Sequence, residues 1–247
     1  MRRLAVCRSV VVVLMVGSVT VACGDDGPSR STAAFGPHQV ERKRVAPEER
    51  AVVVSTRPCG DASSREGSGV IVSPGVVVTA AHVVADSREV SVRARSVDRP
   101  ADVAVLDLDA DIAVLDVPDG SDVDPQSPVE LSRFVRDQTV RLIGASESGT
   151  VDLVVSRPVR IDIDGRRLGE RVERDGYELM GVTADGDSGA GVYDAEGRLG
   201  GLVFARSDER ADVAFAVEAS EIREALEQQP ATYLCDAERS ALVPDES

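Results

Sequence analysis

The chain has 247 residues, of which 43% are hydrophobic and 3% aromatic, with no tryptophan. This hydrophobic content excludes global disorder and allows one large domain or two small ones. The formal net charge of −15, with Lys43 as the only lysine, repels phosphate backbones and excludes nucleic acid as a partner. Because aromatic residues are scarce, Val, Ile and Leu have to fill the core, and these residues favour strands.

Residues 1–22 have the pattern of a signal peptide. Three arginines precede the apolar run 10–21, which is too short to span a bilayer as a permanent helix. The segment Thr20-Val21-Ala22-Cys23 resembles a bacterial lipobox, in which Cys23 is lipidated, with ordinary signal cleavage nearby as the alternative. Polar residues 23–47 predict a flexible tether. We therefore expect an exported protein, either secreted or anchored to the extracellular face of the cell membrane.

The cysteines agree with export. Cys7 leaves with the signal peptide and Cys23 would carry lipid, which leaves Cys59 and Cys235 near opposite ends of the exported domain. In an oxidising compartment we expect these two to form a disulfide, with two buried free thiols as the alternative.

From residue 51 onward, short runs rich in β-branched residues alternate with turn residues. One group of runs covers 51–56, 69–73, 76–79, 90–95, 103–108 and 112–117, and a second covers 140–144, 151–157, 177–182, 189–193, 199–205 and 213–217. Regular runs of this length predict an all-β fold, which we divide into two six-stranded antiparallel β-barrels. The expected order within a folded domain at 48–247 is barrel one at about 50–117, an interdomain loop at 118–137, barrel two at about 138–217 and a C-terminal helix at 218–229.

Three residues in a fixed order indicate nucleophilic catalysis. His82, one of two histidines, ends a valine-rich run; Asp111 opens the next apolar run; and Gly186-Asp187-Ser188-Gly189 lies far downstream. A nucleophilic serine needs a neutral imidazole to take its proton, and the imidazole needs a carboxylate to fix its tautomer. The order His, Asp, Ser belongs to the double-barrel architecture. We predict these three residues as the catalytic triad, with Asp102 as the alternative acid.

The glycines around Ser188 allow a sharp turn that directs backbone amides inward. We predict that the amides of Gly186 and Ser188 form an oxyanion hole. A hairpin turn is the alternative explanation for these glycines.

The motifs resemble those of the trypsin/chymotrypsin-like serine proteases over roughly residues 51–220. Gly67-Ser68-Gly69-Val70-Ile71-Val72-Ser73 and Val78-Thr79-Ala80-Ala81-His82 resemble the segment that carries the family's histidine. The interval of 29 residues from His82 to Asp111 is most similar to bacterial Deg-type (HtrA-like) and actinobacterial membrane-tethered acid-resistance proteases. The resemblance implies a serine endopeptidase that cleaves protein or peptide substrates through an acyl-enzyme. It implies no cofactor and no metal. Because the segments through which Deg-type relatives assemble have no counterpart here, we expect a monomer.

Two other functions remain open on the sequence. Ala190 stands where the family has a second glycine after the nucleophile, so the chain could be a catalytically inactive protease-like surface binding protein. Asp185, Asp187 and Glu196 fall at positions 1, 3 and 12 of a calcium-binding loop, although the fifth and sixth positions do not fit. For an active enzyme, the apolar and hydroxyl groups of Met180-Gly181-Val182-Thr183 predict a preference for small or medium apolar side chains before the scissile bond. A preference for basic side chains, through Asp185 near the cleft, is the alternative.

Overall fold

The computed structural model describes residues 45–60, 63–118, 127–145, 149–164 and 171–231, together with Cys235. The predicted signal peptide, most of the tether and the lipidation site Cys23 lie outside these residues. Within this part of the chain, none of the helices combines the length and the apolar character that crossing a bilayer requires.

The first barrel follows a 3-10 turn at Pro47–Arg50. Its strands are β1 (Ala51–Pro58), β2 (Arg65–Ser73), β3 (Val76–Ala80), β4 (Ser87–Ala94), β5 (Val97–Asp107) and β6 (Ile112–Asp116), and the short helix α1 (Ala81–Val84) connects β3 to β4. All pairs are antiparallel, and the sheet closes in the order β1-β2-β3-β6-β5-β4. In β1 buried residues alternate with more exposed ones, as the two-residue period of a strand requires.

The second barrel begins after the interdomain loop. Its strands are β7 (Thr139–Ile143), β8 (Thr150–Asp164), β9 (Arg171–Met180), β10 (Gly191–Tyr193), β11 (Leu199–Arg206) and β12 (Val213–Glu218), and helix α2 (Ala219–Glu227) follows. This sheet closes in the order β10-β11-β12-β9-β8-β7. The prediction of two six-stranded antiparallel barrels with a C-terminal helix is confirmed.

Several strand ends differ from those predicted. β8 and β9 pair as far as Asp164 and Arg171, well beyond the predicted runs 151–157 and 177–182. In the added part of β8, Val159, Ile161 and Ile163 alternate with charged residues, a two-residue period typical of a strand. β10 begins at Gly191 instead of residue 189, because the preceding residues form the turn around Ser188.

The two barrels share a buried core. Val70 of β2 and Val78 of β3 belong to the same apolar cluster as Leu202 of β11 and Ile222 of α2. The turn before β1 adds a polar link, since Arg50 is 3% exposed and its Nη1 donates to the Ile71 carbonyl of β2 at 3.0 Å. Its Nη2 donates to the carbonyl of Ser127 in the interdomain loop at 2.7 Å.

A disulfide joins Cys59, just after β1, to Cys235, beyond α2. The expected pairing is present, with a Cα–Cα distance of 5.8 Å. The bond therefore ties the start of barrel one to the tail that follows barrel two.

Glu178 of β9 accepts hydrogen bonds from several donors of barrel two. Its Oε2 accepts from Nη2 of Arg157 at 2.8 Å and its Oε1 from Nη2 of Arg210 at 3.1 Å and from Ser156 Oγ at 3.1 Å. These donors favour the charged form, with Arg157 as the largest contributor, and lower the pKa of Glu178 below its ordinary value of 4.5.

Candidate active site

His82 lies on helix α1, directly after the buried strand β3. β3 pairs with β6 so that Ala80 faces Ile112, and this register brings the residue before Ile112 beside the start of the helix. The Ala81 amide donates to the Asp111 carbonyl at 3.1 Å. The His82 side chain is 47% exposed, which places the ring at the rim of barrel one.

Asp111 holds His82 at two points. Its Oδ2 accepts from His82 Nδ1 at 2.9 Å, and its Oδ1 accepts from the His82 backbone amide at 2.9 Å. A carboxylate that faces Nδ1 places the proton on that nitrogen and leaves Nε2 as the proton acceptor. The structure therefore brings His82 and Asp111 together, whereas Asp102 is an exposed residue of β5 that faces Asp116 in the sheet.

Asp111 adopts an uncommon backbone conformation. Its φ of 54° lies in the left-handed region, which aspartate and asparagine tolerate better than most residues. The side chain is 13% exposed. This geometry lets one carboxylate reach both the ring and the amide of the same histidine.

The loop that carries Ser188 comes from barrel two and packs against barrel one. The Ser188 carbonyl accepts from the Ser68 amide of β2 at 2.8 Å. A methyl group on Gly67 would lie 3.0 Å from that carbonyl oxygen and 2.9 Å from a methyl of Val83, the residue after His82. The structure thus places the Ser188 backbone and the His82 helix against the same point of β2.

Residues 184–187 form a tight turn just before Ser188. The Asp187 amide donates to the Ala184 carbonyl at 3.2 Å, and Gly186 has a φ of 90°. These are the marks of a type II turn, in which the central peptide is turned over relative to a type I turn. Asp187 is 1% exposed, and its Oδ2 accepts from the Ala184 amide at 2.8 Å, which reinforces the turn.

Ala190 packs between the loop that carries Ser188 and strand β11. It is fully buried, its amide donates to the Asp187 carbonyl at 2.8 Å, and its carbonyl accepts from the Val203 amide at 3.0 Å. A methyl group on Gly144 would lie 3.3 Å from the Ala190 methyl. The absence of a side chain at position 144 therefore leaves the space that Ala190 uses.

The predicted specificity segment lies beside this loop. Met180 and Val182 are 45% and 66% exposed, whereas Thr183 is buried. Asp185 pairs with Arg206 at the end of β11, with 2.8 Å between Oδ1 and Nη2. The segment thus offers apolar surface next to a compensated pair of charges.

The three carboxylates of the calcium-loop alternative serve different contacts. Asp185 pairs with Arg206, Asp187 is buried in the turn, and Glu196 pairs with Arg198 at 3.0 Å. Among the residues with described positions, no group of three or more His, Cys, Asp or Glu side chains could hold a metal ion.

Two residues near the site were not identified from the sequence. Ser68 is fully buried and contacts the nucleophile loop. Arg174 of β9 lies with its guanidinium 4.1 Å from the centre of the Phe204 ring and donates to the Asp109 carbonyl at 3.4 Å. Burial lowers the pKa of Arg174, and Asp111 is the nearby carboxylate that opposes this effect most strongly. Ser68 lies in the motif that resembles the family's histidine segment, but the motif does not indicate its contact with the loop of Ser188. No sequence signal marks Arg174, because its contacts join segments far apart in the chain.

Residues 67–202 match the family of trypsin-like peptidase domains. The chain belongs to this family. The match includes all three predicted triad positions, together with the β2 segment that supports Ser188.

This trypsin-like peptidase is similar to serine protease Rv3671c of Mycobacterium tuberculosis H37Rv, with 30% identity over 219 residues and 81% of this chain. It spans 48%, about half, of that relative's length. The crystal structure of the active form of that protease superposes with a TM-score of 0.69 and 27% identity, over 76% of this chain and 83% of that one. An inactive form of it gives a TM-score of 0.62 and 28% identity, over 73% and 88% of the two chains. The HtrA-type protease AlgW with a tripeptide shares the fold, with a TM-score of 0.58 and 24% identity, over 74% of this chain and 59% of that one.

Proposed function

We propose that this trypsin-like peptidase is an exported serine endopeptidase that uses His82, Asp111 and Ser188 as its triad. The observation that carries the proposal is the double contact of Asp111 with the ring and the amide of His82, both at 2.9 Å. A surface ion pair would need no contact with the backbone amide. The structure superposes with a higher TM-score on the active form of the mycobacterial protease, 0.69, than on its inactive form, 0.62. This difference also supports a working site.

The proposed chemistry follows from the proton positions. Asp111 keeps the proton on Nδ1, so Nε2 of His82 takes the hydroxyl proton as Ser188 Oγ attacks the peptide carbonyl. The amides of Gly186 and Ser188 would stabilise the oxyanion, at roughly 3–4 kcal/mol per donor. His82 then donates its proton to the leaving amine, and water hydrolyses the acyl-enzyme through the same residues. We infer no role for a metal or cofactor in these steps.

The test is labelling by a fluorophosphonate, which reacts with activated serines only. We expect the full exported domain to be labelled at Ser188, and Ser188→Ala to remove the label. Ser91→Ala, at a partly exposed serine of β4, is the matched control and should label normally. A properly folded protein that is not labelled would instead support the alternative of a protease-like surface binding protein.

Export and anchoring form the second part of the proposal. The disulfide between Cys59 and Cys235 supports an oxidising compartment. We propose cleavage after Ala22 and, in the anchored form, lipidation of Cys23. Mass spectrometry of the mature N-terminal peptide tests this: a diacylglycerol-modified Cys23 is expected, and replacement of Cys23 by serine should release the protein into the medium.

We also propose a monomer that prefers small or medium apolar side chains before the scissile bond. The exposed apolar surface of Val182 and the pairing of Asp185 with Arg206 support this preference over one for basic residues. A peptide library in which cleavage after Arg or Lys dominates would contradict it. Light scattering of the purified domain checks the monomer.

A further inference from the structure

Ser68 reaches the nucleophile loop from the other barrel. It is fully buried in β2, and its Oγ donates to the Gly186 carbonyl at 2.8 Å and accepts from the Ala145 amide at 3.2 Å. Its amide donates to the Ser188 carbonyl at 2.8 Å. One residue of barrel one therefore holds the carbonyls of both residues whose amides we assign to the oxyanion hole.

These contacts fix peptide planes, because a carbonyl and the following amide share one rigid plane. The plane between Gly186 and Asp187 is held by Ser68 Oγ on one side and by the Ala184 carbonyl on the other. The plane between Ser188 and Gly189 is held by the Ser68 amide and by the Val203 carbonyl, which accepts from Gly189 at 2.7 Å. Ser68 thus restrains the planes on both sides of the one that carries the Ser188 amide.

Gly186 is where this restraint matters most. A glycine at a φ of 90° has ready access to negative φ as well, so its own conformational preference does not keep the turn in the type II form. A type I turn at the same place would reverse the central peptide and direct a carbonyl where the Gly186 amide now points. The bond from Ser68 acts on the plane that follows this central peptide and fixes the position of Gly186 against barrel one.

We propose that Ser68 is a positioning residue that holds both residues of the oxyanion hole in place against barrel one. The inference rests on the proposed function and names the residue that pre-organises its oxyanion hole. Ser68 does not touch the substrate. It acts through Gly186 and Ser188, and through Ala145 it links their loop to the segment between β7 and β8.

The test compares three variants of the exported domain. Ser68→Ala removes the hydroxyl, and Ser68→Cys keeps the shape with a weaker donor. Ser91→Ala removes a hydroxyl of β4 that donates to the Ser55 carbonyl at 3.4 Å, away from the site. We expect Ser68→Ala to lower kcat by about tenfold to a hundredfold with KM within about twofold, because loosening a donor costs less than deleting one. Ser68→Cys should be intermediate, and Ser91→Ala unchanged.

Two further measurements separate positioning from general damage. Affinity for a peptide boronate, which forms a tetrahedral adduct with serine, should fall by the same factor as kcat in Ser68→Ala. Hydrogen exchange at residues 184–189 should accelerate by about tenfold or more in Ser68→Ala while exchange in β3 and β6 stays unchanged. Wild-type kcat and boronate affinity in Ser68→Ala would overturn the proposal while leaving the triad intact.

Failure of the triad itself would have a different signature. If the wild-type protein neither hydrolyses peptides nor reacts with fluorophosphonate, the proposed function fails. The exchange measurement still decides whether Ser68 orders the loop, since unchanged exchange at residues 184–189 in Ser68→Ala would refute that as well.

Discussion

Replacing Asp111 by asparagine exchanges one oxygen for an NH2 group and leaves the backbone unstrained. Asparagine tolerates the φ of 54° better than any other substitute except glycine. The contact between Oδ1 and the His82 amide at 2.9 Å requires an acceptor, so the asparagine oxygen takes that position. The NH2 group then faces Nδ1, where Oδ2 now lies 2.9 Å away.

A donor facing Nδ1 has a definite consequence. Nδ1 has to become an acceptor, so the ring proton moves to Nε2, and His82 cannot accept the proton of Ser188. We expect kcat to fall by about 10⁴, which corresponds to roughly 5.5 kcal/mol of transition-state stabilisation. The melting temperature should change little.

The assay is steady-state hydrolysis of a peptide substrate together with the rate of fluorophosphonate labelling. Asp102→Asn, an exposed carboxylate of β5, is the matched control and should retain wild-type rates. If Asp111→Asn keeps more than a tenth of the wild-type kcat, or if only Asp102→Asn abolishes turnover, the assignment of the acid is wrong.

Three other variants have expected outcomes. Gly189→Ala would bring a methyl group into overlap with the Ser68 carbonyl at a φ of 85°, so labelling and folding should both fail, whereas a normally labelled protein would contradict the described loop. Replacing Cys59 and Cys235 by alanine opens a loop with a sequence separation of 176; in the entropy model the free energy of unfolding drops by about 5 kcal/mol, measured by urea titration. Glu178→Gln should reduce the loss of stability in acid. The lowered pKa of Glu178 means that its carboxylate stabilises the fold at pH values above the ordinary pKa of 4.5. This contribution is lost as the pH falls through the folded-state pKa. Thermal melting of both proteins between pH 5 and pH 3 measures this loss. An equal loss of stability in the wild type and in Glu178→Gln would refute that role.

Features that depend on local pattern could be predicted from the sequence. The valine-rich runs of β3 and β6 predict buried strands, and the sequence order of His82, Asp111 and Ser188 predicts a double barrel because this order accompanies that architecture. The pairing of Cys59 with Cys235 followed from excluding the other cysteines. Helix α1 was not predicted, because four residues carry no periodicity and Ala80 provides no side-chain cap.

Features that depend on contacts between remote segments could not be predicted. The bond from Ser68 to Gly186 joins residues 118 positions apart, and a serine in a strand is more often an ordinary polar residue. Arg174 lies in a charged segment that reads as solvent-exposed, yet it is buried against Phe204. In both cases the closed barrels create the environment, and the local sequence does not reveal it.

The contacts around His82 favour catalysis over binding alone. Asp111 closes the hairpin loop between β5 and β6, where Asp107 pairs with Ile112, and a left-handed residue is common at the end of such a loop. From this position one carboxylate reaches both the ring and the amide of His82. A protein that only bound a partner on its surface would gain nothing from holding an imidazole in one tautomer. The combination of a doubly held histidine, a glycine at a φ of 90° two residues before the serine and a buried hydroxyl on the Gly186 carbonyl therefore favours a peptidase poised for acyl transfer.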